Sequence, residues 1–201
     1  PPSPLPLHRL GAHQSSVYIR VHSRPAMPRP VPTPPPVYAE LHCHSALSLL
    51  DGASLPETLA ERAAELGYPA LAITDHDEMG GVVRFGTACE AVGIGGILGA
   101  ELTVRVPDAF KTYGSRLTHL VLLAESRDGY RNIASLVTHA RMQTERGSPQ
   151  VPWSLLAQHV NGVFALTGCP RGWVPQLLAE GRDEAAWEAA CQLREVFGEH
   201  L

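Results

Sequence analysis

Two histidines one residue apart, His42 and His44, follow an apolar run in "YAELHCHSALSLLDG" (38–52), and Asp51 stands a short polar turn later. Successive side chains of a strand alternate faces, so residues i and i+2 project side by side. Imidazoles placed in this way form a chelating pair. An HxH pair alone reads equally as two part-exposed histidines satisfied by water or backbone. The rest of the chain supplies further groups of the same type. Asp75, His76 and Asp77 follow "ALAIT", Glu101 lies in "GAELTV", His119 in "LTHLVLLAE", and Cys169 follows "GVFALTG". A histidine, carboxylate or cysteine arriving at strand after strand points to one shared metal site. Neutral imidazoles hold zinc, iron or manganese, and a carboxylate bridges two cations about 3.5–4 Å apart. Water between two such cations loses a proton near neutral pH and attacks phosphorus, while the other cation steadies the leaving oxygen. Hydrolysis of a phosphoester is the reaction such a cluster suits.

Alternating strands and helices must position these groups. "VYAELH" (37–42) reads as a strand, and "SLPETLAERAAELG" (54–67) as a helix with Ser54 as N-cap, Pro56 in the first turn, Glu57 at the capping-box position and Gly67 as the stop. "PALAIT" (69–74) is the next strand, a helix runs through about 80–92, and "GIGGILGAELTV" (93–104) leads into another strand. A strand at 117–125, a helix at 127–142, a short helix near 153–159, a strand at 162–168 and helices near 172–180 and 183–197 complete the series. Repeated βα units imply parallel strands covered by helices, a doubly wound sheet or a barrel, with function at the carboxyl ends of the strands.

Composition narrows the class. The 201 residues, 44% of them hydrophobic, suffice for one sizeable core. Residues 1–36 contain Arg9, Arg20, Arg24 and Arg29 and no acid, so the net charge of −4 divides into a basic segment and a more acidic remainder, without a polyanion-binding signature. Eleven of the 18 prolines fall in residues 1–36, which favours an extended, disordered tail that is disposable for stability. Met27 is a candidate start, and a cut fragment is the alternative. Four dispersed cysteines without a CxxC pair suit a reducing cytosol. No apolar run reaches the length of a membrane span and no signal-peptide order opens the chain, so a cytoplasmic location is expected.

The motifs "YAELHCHSALSLLDGAS", "ELGYPALAITDHDEMGGVVRF", "GAELTV", "HLVLLAESRDGYRNIASLV" and "LTGCPRG" resemble, in order and spacing over 37–201, the PHP (polymerase and histidinol phosphatase) superfamily. Within it they resemble the N-terminal PHP domain of bacterial C-family DNA polymerases, most closely the error-prone, alpha-subunit-like type. The resemblance implies a distorted (βα)7 TIM-like barrel and a cluster of two to three divalent metal ions, zinc, manganese or iron. By motif match its ligands are His42, His44, Asp51, His76, Glu101 as the bridging carboxylate, His119 and Cys169. The family pattern ends with an Asp-x-His pair that does not occur before Leu201, so the barrel is expected to be incomplete here and the isolated chain catalytically silent. The resemblance further implies a parent DNA-directed DNA polymerase that uses magnesium at palm carboxylates beyond this sequence. Its partners would be DNA and other replication or translesion-synthesis proteins. A stand-alone histidinol-phosphatase-like phosphoesterase and a non-catalytic metal-stabilised scaffold are the alternatives.

Individual residues carry competing readings. Asp51 either opens an Asp-Gly turn or ligates. Asp75 and Asp77 read as orienters of His76 or as solvated acids. Cys169 is either a small buried hydrophobe or a ligand placed after a strand. His139, His159 and His200 fall in or beside helices and read as surface residues, as do Arg84, Arg127 and Arg131.

Overall fold

A computed structural model describes residues 38–201. The Pro-rich segment expected over residues 1–36 lies outside the described residues. Helix α1 (Pro56–Glu65) leads to strand β1 (Ala70–Ile73), helix α2 (Val82–Val92) and the long strand β2 (Gly95–Arg105). Strand β3 (Leu117–Ala124), helix α3 (Arg127–Gln143), strand β4 (Val151–Pro152), helix α4 (Trp153–Leu156) and strand β5 (Val163–Leu166) follow. Helices α5 (Trp173–Ala179) and α6 (Asp183–Phe197) end the series. None of the described helices is long and apolar enough to cross a membrane.

The mixed α/β class is as the sequence predicts, and the strands run in the order β1-β2-β3-β5 with β4 also paired to β2. β1 and β4 lie parallel to β2, whereas β3 is antiparallel to both β2 and β5. The uniform parallel pairing inferred from repeated βα units therefore does not hold at β3. Its cause is local: a parallel return needs a crossover of a dozen or more residues, normally helical. Between β2 and β3 there is only a single 3-10 turn, Asp108–Phe110, and a tight turn in which Thr112 and Ser115 pair.

Two of the expected elements are displaced. Residues 40–43 form an extended edge beside β1 rather than a full strand, held where Ala72 N–H donates to Glu40 O and Thr74 N–H to Cys43 O, both at 2.8 Å. Helix α1 is not capped by Ser54. A proline pushes the residue before it out of the helical region, and Leu55 accordingly sits at φ −66°, ψ 152° as N-cap without a side-chain cap bond. Ser54 instead offers its carbonyl to Ala46 N–H at 2.7 Å, and Glu57 turns to Arg84. The predicted stop holds: Gly67 has φ 75°, a left-handed conformation open to glycine.

Period-two alternation divides β2. Ala100, Leu102 and Val104 face the main core with Leu120, Leu122, Ile133, Leu136, Leu177 and Leu193. Burial of such side chains contributes roughly 1.5–3 kcal/mol each. Glu101 and Thr103 point to the opposite face, which they share with His119 and Val121 of β3.

Candidate metal centre

Glu101 is the hub. It is 1% exposed, a burial that a carboxylate tolerates only when its oxygens are satisfied. Its antiparallel partner on β3 is Val121, so His119, two residues away on the same face, is its diagonal neighbour across the strands. His119 Nδ1 lies 2.9 Å from Glu101 Oε1, and the Cys169 thiol donates to the same oxygen at 3.1 Å. The other oxygen, Oε2, faces His42 Nε2 at 2.8 Å, His44 Nε2 at 2.9 Å and His76 Nε2 at 3.6 Å. The Nε2 atoms of His42 and His44 are 3.0 Å apart. Asp51, half-exposed, reaches His76 Nε2 through Oδ2 at 3.2 Å. All seven residues singled out from the sequence thus converge on one place.

The backbone accounts for the convergence. The parallel hydrogen bonds of residues 40–43 to β1 set His42 and His44 at the end of the first apolar run. The loop after β1 locks onto β2, because Glu101 N–H donates to Asp75 O at 3.1 Å and Asp77 N–H to Glu101 O at 2.8 Å. That pairing is what sets His76 opposite Glu101. His119 is fixed from its far side, where its N–H donates to Arg171 O at 3.0 Å, and Arg171 N–H in turn points at Cys169 Sγ at 3.4 Å. The turn carrying Asp51 doubles back tightly: a Cβ on Gly52 would stand 1.9 Å from Ser45 O, so only glycine fits.

The charges are arranged accordingly. Burial alone would push the Glu101 carboxyl up, but hydrogen bonds from His119, His42, His44 and Cys169 outweigh it and hold it far below the usual carboxylate range. The hydrogen bond to Glu101 pushes the His44 imidazole above its ordinary value, against the opposing effect of burial. His76 is shifted down, chiefly by burial and further by the neighbouring His44 and His119. Burial and the Glu101 carboxylate push the Cys169 thiol up.

The acids flanking His76 separate into two roles. Asp75, 2% exposed, accepts from Ser45 N–H at 2.6 Å, Ser45 Oγ–H at 2.7 Å and Ser48 Oγ–H at 2.8 Å. Asp77 turns away to Thr103, accepting from its N–H at 2.9 Å and its hydroxyl at 2.8 Å, and burial pushes its carboxyl up. Sequence reasoning passed over Ser45 and Ser48, whose signal was the hydroxyl pair in "HSALS" directly after the HxH pair. Arg84 and Arg131 pair with Glu57 and Asp128 on the helix surfaces, as solvated arginines do. His200 lies against Phe164 with the rings tilted by 56° and reaches Glu125 at 3.7 Å, with no contact to the cluster among its partners.

Among the described residues two groups of donors lie close enough to hold ions, His42–His44–Glu101 and His76–Glu101–His119, and Glu101 belongs to both. Nitrogen, carboxylate and thiol donors of this kind suit zinc, manganese or iron. The donor set therefore fits divalent metal binding around one shared carboxylate.

A family model described as "PHP domain" matches residues 40–201. A DNA polymerase III subunit alpha from Treponema pallidum is 42% identical over 165 residues, covering 80% of this chain and 14% of that protein. An error-prone DNA polymerase from Cutibacterium acnes is 40% identical over 201 residues, covering 97% of this chain and 18% of that protein. Another error-prone DNA polymerase, from Mycobacterium bovis, is 40% identical over 162 residues, covering 80% of this chain and 15% of that protein. The chain spans less than a fifth of the length of these relatives.

Proposed function

The chain belongs to the PHP domain family, and on that basis we propose that it is the N-terminal multi-metal domain of an error-prone type of bacterial DNA polymerase, with a centre of phosphoester-hydrolysing type. The observation that carries this reading is the placement of Glu101: one buried carboxylate offers Oε2 to His42 and His44 and Oε1 to His119 and Cys169. His42 and His44 would hold one ion with Glu101, and His76 and His119 a second, with Asp51 and Cys169 completing the shell. When bound, such ions supply an activated water near neutral pH and charge for the leaving oxygen.

The chain's own residues do the rest. Glu101 keeps negative charge at the middle of a cluster of histidines, so imidazole nitrogens converge without mutual repulsion. The loop after β1 and the edge segment 40–43 are both tied to strands, which fixes the nitrogens on rigid elements. Asp51 is half-exposed and stands at the solvent side of the cluster. The substrate class is a DNA phosphodiester, and the parent enzyme, in the cytoplasm, would extend primers opposite damaged bases with magnesium at a separate site.

The test pairs metal content with activity. The chain should carry transition metal by elemental analysis, and His42→Ala with His44→Ala should remove most of it. In a polypeptide of the relatives' length, metal-dependent release of nucleotides from single-stranded DNA should vanish with a chelator or with Glu101→Ala, while primer extension persists. Metal binding without any such hydrolysis would reduce the centre to a scaffold. Unchanged metal in the double variant would refute the ligand assignment.

A further inference from the structure

We propose that Ser48, oriented by Asp75, is a positioning residue that keeps a proton on His44 Nδ1 and so presents His44 Nε2 as the ligating atom. The inference rests on the metal-centre reading above. Ser48 is 2% exposed, and its Oγ has three polar neighbours. These are Asp75 Oδ1 at 2.8 Å, the His76 backbone N at 2.9 Å and His44 Nδ1 at 3.0 Å.

A hydroxyl has one proton and two lone pairs to distribute among three neighbours. The peptide N–H of His76 only donates, so it occupies one lone pair. The Asp75 carboxylate, on which Ser45 N–H and Ser45 Oγ–H also converge, only accepts, so it takes the hydroxyl proton. What Ser48 has left for His44 is a lone pair, and a lone pair requires an N–H on Nδ1. The other ring nitrogen, Nε2, lies 3.0 Å from His42 Nε2 and 2.9 Å from Glu101 Oε2, on the side where the donors gather. A hydrogen bond to the far nitrogen of a ligating histidine fixes both its tautomer and its ring orientation.

The hydroxyl reaches three parts of the centre at once. Ser48 lies one turn after His44, and its carbonyl accepts from Asp51 N–H at 3.0 Å and Gly52 N–H at 2.9 Å. Its side chain grips the loop of His76. The residue thereby ties the first histidine pair, the Asp51 turn and the His76 loop to one buried carboxylate.

The experiment is nitrogen NMR on protein labelled at histidine, metal-free and zinc-loaded, with zinc affinity measured by competition. Wild-type protein should show a protonated His44 Nδ1 in both forms and zinc on Nε2. Ser48→Ala should lose the slowly exchanging Nδ1 proton and bind zinc about 10–100-fold more weakly. Ser48→Thr, which keeps the hydroxyl, should restore both. A bare Nδ1 in metal-free wild-type protein, zinc on Nδ1, or unchanged zinc affinity in Ser48→Ala would overturn the proposal. Equal loss in Ser48→Thr would assign the effect to packing and overturn it as well. A protonated Nδ1 in wild-type protein that takes up no zinc would support the relay and sink the metal-centre reading instead.

Discussion

Replacing Glu101 by glutamine keeps the side chain's volume and removes its charge and one of its two acceptor oxygens. The remaining oxygen can face only one pair of close donors, either His42 and His44, which lie against Oε2, or His119 and Cys169, which lie against Oε1, while His76 stands farther off at 3.6 Å from Oε2. The amide nitrogen then points at two donors or at the ion they hold. Charge-assisted contacts are worth about 1.5–3 kcal/mol each. Loss of two on one side therefore amounts to roughly 3–6 kcal/mol, or about two to four powers of ten in affinity for that ion. Glu101→Gln should thus bind one ion nearly as the wild type does and lose another, whereas Glu101→Ala should lose both. Zinc titration against a competing chelator, with elemental analysis of the gel-filtered protein, reads stoichiometry and affinity together. Glu101→Gln with wild-type stoichiometry and both affinities unchanged would refute the shared-carboxylate reasoning.

Metal removal by a chelator should lower the thermal midpoint: an ion present at about 100 times its Kd stabilises the fold by roughly 2.7 kcal/mol, which in a domain of this size corresponds to about 5–10 °C by calorimetry. Gly52→Ala should destabilise by about 1–3 kcal/mol in chemical denaturation and weaken zinc binding, since its Cβ would meet Ser45 O at 1.9 Å in the turn that carries Asp51. Glu57 is held below the ordinary carboxylate value of 4.5 by its hydrogen bond to Arg84. The stability it contributes is therefore present above that value and lost as pH falls toward the lowered one, and Glu57→Gln should differ from wild type at neutral pH and converge with it in acid.

That His42, His44, His76, Glu101, His119 and Cys169 fall in or just after apolar runs was legible from alternation along the strands, and their grouping as one set came from the motif resemblance. That the cluster draws on the interior of β2 through Glu101 and on the amino end of the antiparallel β3 through His119, rather than on carboxyl ends throughout, was not legible. The helix expected over 127–142 forms as α3, with Ser126 as its N-cap accepting from Gly129 N–H at 3.1 Å, whereas the one expected near 153–159 ends at Leu156. The sequence misled where two local rules competed. At α1 the capping preference of Ser54 gave way to the steric effect of Pro56 on Leu55. At β3 the direction of the strand depended on the lack of a crossover helix between Arg105 and Leu117, a signal weaker than the repeated βα pattern around it. The separate tasks of Asp75 and Asp77 could not be read at all, because they depend on which hydroxyls fold back over them: Ser45 and Ser48 for one, Thr103 for the other.

The donors around Glu101 come from segments far apart along the chain: His42 is 59 residues before it and Cys169 is 68 residues after it. Ions held by the two donor groups that share Glu101 would tie the polypeptide into two long rings, much as a pair of disulfides would, yet could be undone by acid or a chelator. On the chain-entropy scale for covalent cross-links, a ring of that size restricts the unfolded ensemble by roughly 4 kcal/mol. Closing such rings is also slow, since distant segments must meet before any reward is gained. Such a centre would therefore act as a clasp that could shut only after the strands beneath it had formed, and metal uptake during refolding would time the last event of assembly.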